Sequence, residues 1–377
     1  MVSIAILLIM AGCAAAQFLK GSLVKSFVTF ISALFASFVG LWWYEQAAAF
    51  VIKQEYIVDY AQPACFGMIF LISFVILQTA GLALTKQKID FGETPERIGR
   101  AAFGLLLGYV ISGALLIGAS MAPLPSEYPY QRFDGNRADP KSPKRVLLNP
   151  DGFLSGFFGI ISGGSVSGSN SFAVLHAGFI DELSLNRLPV SQKVKILTEA
   201  GAVTMSAKSV WPAPDGLMDT EGKSISSKSG YNKNDGDLIV VRVGFTGMML
   251  SDGILTPSQL RFQCKKKGDK PRFGGSAVSV YPIGYLQSAS QVKTVGINES
   301  ITLNTQNAQD GVVSMNFVLF VPKAKDGTSR EPVAVGLKAN AIAEAPSMVT
   351  AEEAIKVKET SPAPETPAVP QDANTEK

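Results

Sequence analysis

The chain has 377 residues, of which 47% are hydrophobic and 17% are charged, and its net charge at neutral pH is +3. This length has room for two domains, and the small net charge gives no reason to expect nucleic acid as a partner. The average hides a division, because long apolar runs fill the chain up to residue 122, whereas the remainder has the mixed composition of a soluble domain.

Four apolar runs approach the ~20 residues that a helix needs to cross a membrane. None contains Asp, Glu, Lys, Arg or His, and a chain in lipid must pair its backbone polar groups internally, so each run is expected to be helical. The predicted spans are Val2 to Leu19, Ser26 to Tyr44, Pro63 to Leu84, and Ala101 to Ala122. The sequence therefore predicts a bundle of four transmembrane helices over residues 1–122.

The first run can also be interpreted as a bacterial lipoprotein signal cleaved before Cys13, because Ala11 and Gly12 form a small-residue box. A secretory signal normally begins with Lys or Arg, but the first basic residue here is Lys20. A lipid-anchored soluble domain would also leave three later spans without a purpose. We therefore expect an uncut first helix.

Small residues recur four apart in three of the runs, which places each set on one helix face. Helices in lipid approach one another closely through such faces. The predicted packing residues are Gly12 and Ala16 in the first span, Ser32, Ala36 and Gly40 in the second, and Gly104, Gly108 and Ser112 in the fourth.

Basic residues are concentrated in the first and third loops, and Lys and Arg in short loops favour the cytoplasmic side. The second loop carries only Lys53. We expect everything after Ala122 to lie outside the cytoplasm. Anchoring at the cytoplasmic face is assigned to Lys20, Lys25, Lys86, Lys88, Arg97 and Arg100. Arg97 and Arg100 could instead bind lipid phosphate or a partner, and Thr94 is expected to cap the helix that carries them.

The soluble part begins with a proline-rich connector over residues 123–150, followed by a β-rich domain over residues 151–344. The apolar segment after Asp151 has helical spacing, and it could lie on the outer leaflet or pack under the domain. The glycine- and serine-rich residues that follow it, through Ser171, predict a flexible loop.

Apolar residues alternate with a period of two within Asp237 to Phe245 and within Val313 to Val321, which indicates strands. Shorter apolar runs, separated by Gly, Pro, Asn and Asp, indicate further strands. Together the strands predict an antiparallel sandwich, and their pattern resembles immunoglobulin-like domains of bacterial envelope proteins. Residues 345–377 are rich in Pro, Glu, Thr and Ala and are expected to be a disordered tail, with a capping box at Thr350 and Glu353.

The first 122 residues resemble the colicin V production protein family. Its members have four membrane spans, a short turn with a basic residue and Gly after the first, and an Arg followed by spaced glycines at the fourth. Here the turn is Phe18-Leu19-Lys20-Gly21, and the fourth span reads RIGRAAFGLLLGYVISGALL from Arg97 to Leu116. The resemblance implies a non-enzymatic inner-membrane protein associated with toxin production or export and with envelope integrity.

Residues capable of catalysis or metal binding are few, so no catalytic, cofactor or metal site is assigned. Some relatives of this family carry an extracytoplasmic serine protease, but the single histidine, His176, lies in an apolar run where a packed residue is expected, and Ser165 follows a glycine pair. Cys13 and Cys65 lie in spans and Cys264 stands alone, which disfavours zinc and disulfides. The basic run from Cys264 to Arg272 is interpreted as a solvated loop rather than a site for anionic lipid or polymer.

Two alternatives to the family role remain open at this point. The bundle could be a channel or transporter subunit for a small solute, although the spans lack the charged residues of an ion relay. A membrane-anchored hydrolase is less favoured because of the histidine count. Beyond the lipid bilayer, possible partners are envelope or export proteins.

Overall fold

Four long apolar helices form the first third of the chain, as the sequence predicts. The computed structural model describes residues 1–54, 58–85, 91–134, 138–164, 171–227 and 231–354. Each of the four helices is long and apolar enough to cross a membrane, with a mean hydropathy of 1.8 to 2.3 over its most apolar stretch. They are α1 (Val2–Lys20), α2 (Leu23–Lys53), α3 (Ala61–Leu84) and α4 (Glu93–Met121).

Two helices are longer than the apolar runs that predict them. Helix α2 starts after Ser22, whose hydroxyl accepts a hydrogen bond from the Lys25 N–H, and it continues nine residues past Tyr44. Its last turns keep good helix formers and pack against the following domain, so the polar Glu45 does not end it. Helix α4 begins at Glu93 after Gly92, so the predicted cap at Thr94 is wrong by two residues.

The bundle pairs α1 with α4 and α2 with both α3 and α4. The turn between α1 and α2 therefore lies beside the start of α4, and the far end of α2 lies beside the end of α4. Buried apolar side chains of α2, α3 and α4 form one continuous core with side chains that follow the bundle. Outward-facing side chains of α3 are exposed, as lipid-facing residues are expected to be; they include Met68, Leu71, Ile72, Val75 and Ile76.

Three further helices lie over the end of the bundle from which the connector emerges. They are α5 (Pro150–Gly163), α6 (Phe172–Leu175) and α7 (Phe179–Asn186). Helix α5 is the predicted apolar segment, and its position on the outer leaflet stays a prediction. Leu154 and Phe158 are buried against the bundle, whereas Phe153 and Ile160 on another face are exposed.

The β-rich part contains a short helix, α8 (Met248–Asp252), and strands at the positions of the predicted alternation. Its longest strands are β4 (Gly236–Phe245) and β11 (Val313–Pro322). The other described strands are β1 (Val203–Thr204), β2 (Val210–Pro212), β3 (Met218–Asp219), β5 (Ile254–Leu255), β6 (Leu260–Lys266), β7 (Val278–Val280), β8 (Pro282–Leu286), β9 (Gln291–Thr294), β10 (Ile301–Thr302), β12 (Arg330–Leu337) and β13 (Ala341–Glu344).

The described strands form three sheets. The largest has the order β1-β4-β11-β8-β9-β3, with β2 also paired to β4; a second has the order β13-β12-β6-β7, and β5 pairs with β10. All pairs are antiparallel except β3 with β9. Strand β6 extends through Lys266, so the beginning of the basic run predicted as a loop is a strand, because Cys264 and Lys265 are both buried.

The two larger sheets pack face to face around an apolar core, which gives the predicted sandwich. This core joins side chains of β4 and β11 to side chains of β6 and β12. The opposite face of β4 and β11 is also covered, so Val240 and Val318 are buried as fully as their neighbours.

Residues beyond β13 help to cover this opposite face of β4 and β11. Val349 and Ala354 pack beside Trp211, and Thr350 and Glu353 make the reciprocal bonds of a capping box. The described packing therefore continues beyond the tail start expected at Ala345, because these apolar side chains cover the sheet. Residues 355–377 lie outside the described part of the chain.

Candidate functional site: the junction of the bundle and the β-rich domain

The predicted packing residues of the fourth span lie where α4 meets α1. A Cβ atom at Gly108 would lie 2.5 Å from the Cα of Met10, and one at Gly104 would lie 2.6 Å from the Cα of Ala14. Ser112 is buried one turn further along the same helix. The two backbones therefore approach as closely as glycine allows.

The other predicted packing residues divide into two groups. Ser32 and Ala36 are buried in α2, and a Cβ at Gly40 would lie 3.0 Å from the ring of Phe66 on α3. Gly12 and Ala16 are exposed on α1, and a Cβ at Gly12 would meet no atom within 4 Å. Gly12 and Ala16 thus face away from the other described helices, and Ala14 is the small residue of α1 that meets α4.

Predicted anchoring residues lie at the end of the bundle opposite the β-rich domain. Arg100 donates hydrogen bonds to the carbonyls of Phe18 (3.2 Å) and Gly21 (3.1 Å), so it holds the end of α1. Arg97 is exposed and pairs with Glu93. Lys20 and Lys25 are exposed at the same end, and Lys86 and Lys88 lie outside the described residues.

A cluster of buried charged residues, which we call the junction cluster, lies where α2 meets the soluble part. It consists of Glu45 on α2, His176 at the end of α6, Glu182 on α7 and Arg261 on β6. His176, Glu182 and Arg261 are each at most 3% exposed. Four separate elements are therefore joined through charge.

Distances within the junction cluster form a continuous chain of ion pairs. His176 Nε2 lies 3.1 Å from Glu45 Oε1, and His176 Nδ1 lies 3.2 Å from Glu182 Oε2. Arg261 Nη2 lies 2.6 Å from Glu182 Oε1, a contact of charges without hydrogen-bond alignment. Arg261 Nη1 donates to the carbonyl of Lys338 at the end of β12. The positive charges of His176 and Arg261 thus balance the negative charges of Glu45 and Glu182.

Aromatic rings pack against the buried part of the junction cluster, whereas the side chain of Glu45 is 31% exposed. Phe172 stacks near His176 with ring centroids 4.9 Å apart, and Phe179 lies 5.6 Å from the same imidazole. Tyr44 is buried beside Phe179, and its hydroxyl donates to Glu45 at 3.2 Å. In such surroundings an uncompensated charge is costly, so the balance of the cluster matters for stability.

Burial by itself would lower the pKa of His176, but Glu45 and Glu182 outweigh that effect and raise the pKa to about 10. The imidazole is therefore charged at neutral pH. An imidazolium held between two carboxylates has no lone pair to accept a proton, so it cannot serve as a general base. The geometry fits a structural connection between α2 and the soluble part.

Comparison with known proteins bears on the membrane part. Residues 2–133 match the model of the colicin V production protein family. The matched region, which we call the colicin V production region, covers the bundle and the start of the connector, so the predicted resemblance is confirmed for this part of the chain. No curated protein and no solved structure matches the chain.

The junction cluster connects the colicin V production region to residues beyond it. Glu45 lies inside the matched residues, whereas His176, Glu182 and Arg261 follow them. A second contact joins the same two parts, because Gln62 Nε2 on α3 donates to the carbonyl of Ala339 at 3.2 Å. Ile52 near the end of α2 also packs with Ile196 and Leu197.

The sequence analysis does not identify the junction cluster. The apolar run around His176 looks like a strand in the sequence, but the structure places His176 after a short helix. An apolar run that is buried on all sides shows neither the period of a helix nor that of a strand. The available signals are Glu45 directly after an aromatic group and Arg261 between two inward-facing apolar residues of β6. Neither signal indicates which residue the charged group pairs with.

Beside the junction cluster lies a cleft of about 360 Å³ between α5 and the segment from α6 to α7. We call it the glycine cleft, because Gly152, Gly156 and Gly159 of α5 line one wall. Arg132, Arg145 and Asp181 line it as well, and His176 reaches it from the other side. Among the described residues, no group of His, Cys, Asp and Glu has the arrangement of a metal site.

Stability should fall with rising pH because of His176. Its pKa in the folded protein, about 10, exceeds the value of about 6.5 expected when unfolded, so its contribution is complete below about pH 6.5 and is lost as pH rises toward 10. Thermal unfolding in detergent across this window should show a steeper decline for the wild type than for His176→Gln. Parallel curves for the two proteins would contradict the assignment of the charge to His176.

Proposed function

We propose that the protein is a non-enzymatic, multi-pass protein of the bacterial inner membrane that holds its β-rich domain outside the cytoplasm. In this role it would support envelope integrity and toxin production or export, as the colicin V production region implies. The observation that supports the proposal is the junction cluster, in which His176 contacts both Glu45 of α2 and Glu182 of α7 and so joins the domain to the bundle.

The proposed orientation rests on which end of the bundle is basic. Lys20, Lys25, Arg97 and Arg100 lie at the end opposite the junction cluster, and Lys and Arg of short loops favour the cytoplasmic side. The β-rich domain would then lie at the outer surface. Exposed Trp42 and Trp43 lie just before Tyr44 and Glu45, and aromatic side chains favour the membrane interface.

The orientation is tested by fusing reporters after Lys377 in the intact chain. Alkaline phosphatase, which is active only outside the cytoplasm, should be active there, and green fluorescent protein exported by the same route should not fluoresce. Bright fluorescence with inactive phosphatase would reverse the orientation.

The role is tested by complementation of a deletion strain. Wild-type protein should restore resistance to detergent and release of the toxin, and Glu182→Gln, which breaks the junction cluster, should restore neither at equal membrane levels. Glu352→Gln, an exposed carboxylate, serves as the control. Full complementation by Glu182→Gln would separate the role from the fixed domain, and labelling by a serine-reactive probe would contradict a non-enzymatic protein.

A further inference from the structure

The glycine cleft lies at the end of the bundle that faces the β-rich domain. Helix α5 packs across α4 near Gly113, where a Cβ would lie 2.5 Å from the carbonyl oxygen of Pro150, and Phe158 contacts Trp42 of α2. Phe153 and Ile160 are 43% and 73% exposed on the same helix. The cleft is therefore adjacent to an apolar surface suited to lipid.

Two arginines lie at the glycine cleft. Arg132 is only 7% exposed, and its Nε donates to Asp181 at 2.5 Å while Nη1 donates to Tyr130 at 3.0 Å. Its Nη2 makes no hydrogen bond to another described residue. Arg145 is exposed at the same cleft and forms no ion pair with a described carboxylate. Asp181 and the buried Asp151, whose Oδ2 accepts a hydrogen bond from the Tyr130 hydroxyl at 2.6 Å, both offset Arg132, so the exposed Arg145 is the arginine left for an anion.

The negative charges near His176 are balanced separately from those of the cleft. Glu45 and Glu182 face the imidazole of His176 on its two nitrogen atoms, and Glu182 also pairs with Arg261. The junction cluster is therefore neutral as a unit, and the attraction for an anion comes from Arg145. Guanidinium groups suit phosphate oxygens because they offer donors in a planar fork.

Glycine creates the space in this cleft. A Cβ at Gly156 or Gly159 would meet no atom within 4 Å, so protein packing does not require glycine at either position. Glycine inside a helix costs up to about 1 kcal/mol relative to alanine, yet α5 carries it on the wall of the cleft. The missing side chains leave room for a ligand beside Ser155.

We propose that the glycine cleft binds the phosphate of an anionic membrane lipid. The arginines would contact the headgroup phosphate, the glycine wall would admit the glycerol backbone, and the acyl chains would follow the exposed face of α5 along Phe153 and Ile160. A lipid is favoured over free phosphate because the cleft adjoins this apolar surface.

The test uses the full-length protein in detergent, titrated with phosphatidylglycerol, with the melting temperature and the number of retained lipids in native mass spectrometry as readouts. Phosphatidylglycerol should raise the melting temperature, and phosphatidylcholine and inorganic phosphate should do so less. Arg145→Gln should weaken the apparent affinity about tenfold, the loss expected for one charged contact. Gly159→Leu should remove the tightly held lipid by filling the cleft.

Matched controls separate this site from general attraction of lipid to a basic membrane protein. Arg97→Gln removes an exposed arginine at the other end of the bundle, and Gly67→Leu adds the same side chain at an open position of α3. Both should bind phosphatidylglycerol like the wild type. Wild-type binding by Arg145→Gln and Gly159→Leu, equal losses in the controls, or equal protection by inorganic phosphate would each overturn the proposal.

Discussion

Glu182→Gln should cost on the order of 3 kcal/mol of stability, because it leaves two buried cations without their shared carboxylate. Glu182 contacts His176 at 3.2 Å and Arg261 at 2.6 Å, and its side chain is 2% exposed. The loss should appear as a large drop in the melting temperature in detergent and as protease sensitivity of the β-rich domain.

A control variant distinguishes the loss of these buried ion pairs from the loss of any one carboxylate. Glu352→Gln, on an exposed turn, should melt like the wild type. The double variant Glu182→Gln with Arg261→Gln should lose less than the sum of the two single variants, because the partners are removed together. Additive losses would show that Glu182 and Arg261 do not stabilise each other.

Gly108→Leu should separate α1 from α4 and destabilise the bundle. A Cβ at this position would lie 2.5 Å from the Cα of Met10 and 3.0 Å from the carbonyl oxygen of Ile9, so backbone would have to move. Overpacking of this kind costs about 1–3 kcal/mol even where side chains can yield. The melting temperature in detergent should fall accordingly.

Gly12→Leu is the matched control, since it adds the same side chain to α1 at a position where a Cβ would meet no atom within 4 Å. It should melt like the wild type as a monomer. Equal destabilisation by both variants would mean that the face of Gly104 and Gly108 does not determine the packing of the bundle. Leu115→Ile, at a position 58% exposed on α4, should likewise have little effect.

Much of the fold is predictable because each part has a strong local signal. A helix that crosses lipid needs a long run without charged residues, and a strand of a sandwich needs apolar residues at every second position. The four helices and the strands β4 and β11 are therefore predicted close to their observed positions. Helix ends are less predictable, since α2 continues through Glu45 only because the β-rich domain packs against its last turns.

The junction cluster could not be predicted, because its members lie 45, 176, 182 and 261 residues along the chain. Each is ordinary in its local context, and a buried charge is recognised only through the partner that balances it. His176 illustrates the difficulty. Its apolar neighbours correctly indicate burial, but the two carboxylates that give it a charge come from other helices.

The continuity of α2 has a mechanical consequence. Its 31 residues span roughly 46 Å, which exceeds the ~30 Å of a hydrocarbon core. A transmembrane helix changes its tilt when the bilayer becomes thinner or thicker. Because the far end of α2 is clamped by His176 and by the apolar contacts of Ile52, any change in tilt turns the β-rich domain with it. We therefore expect bilayer thickness to influence the angle at which the domain is held.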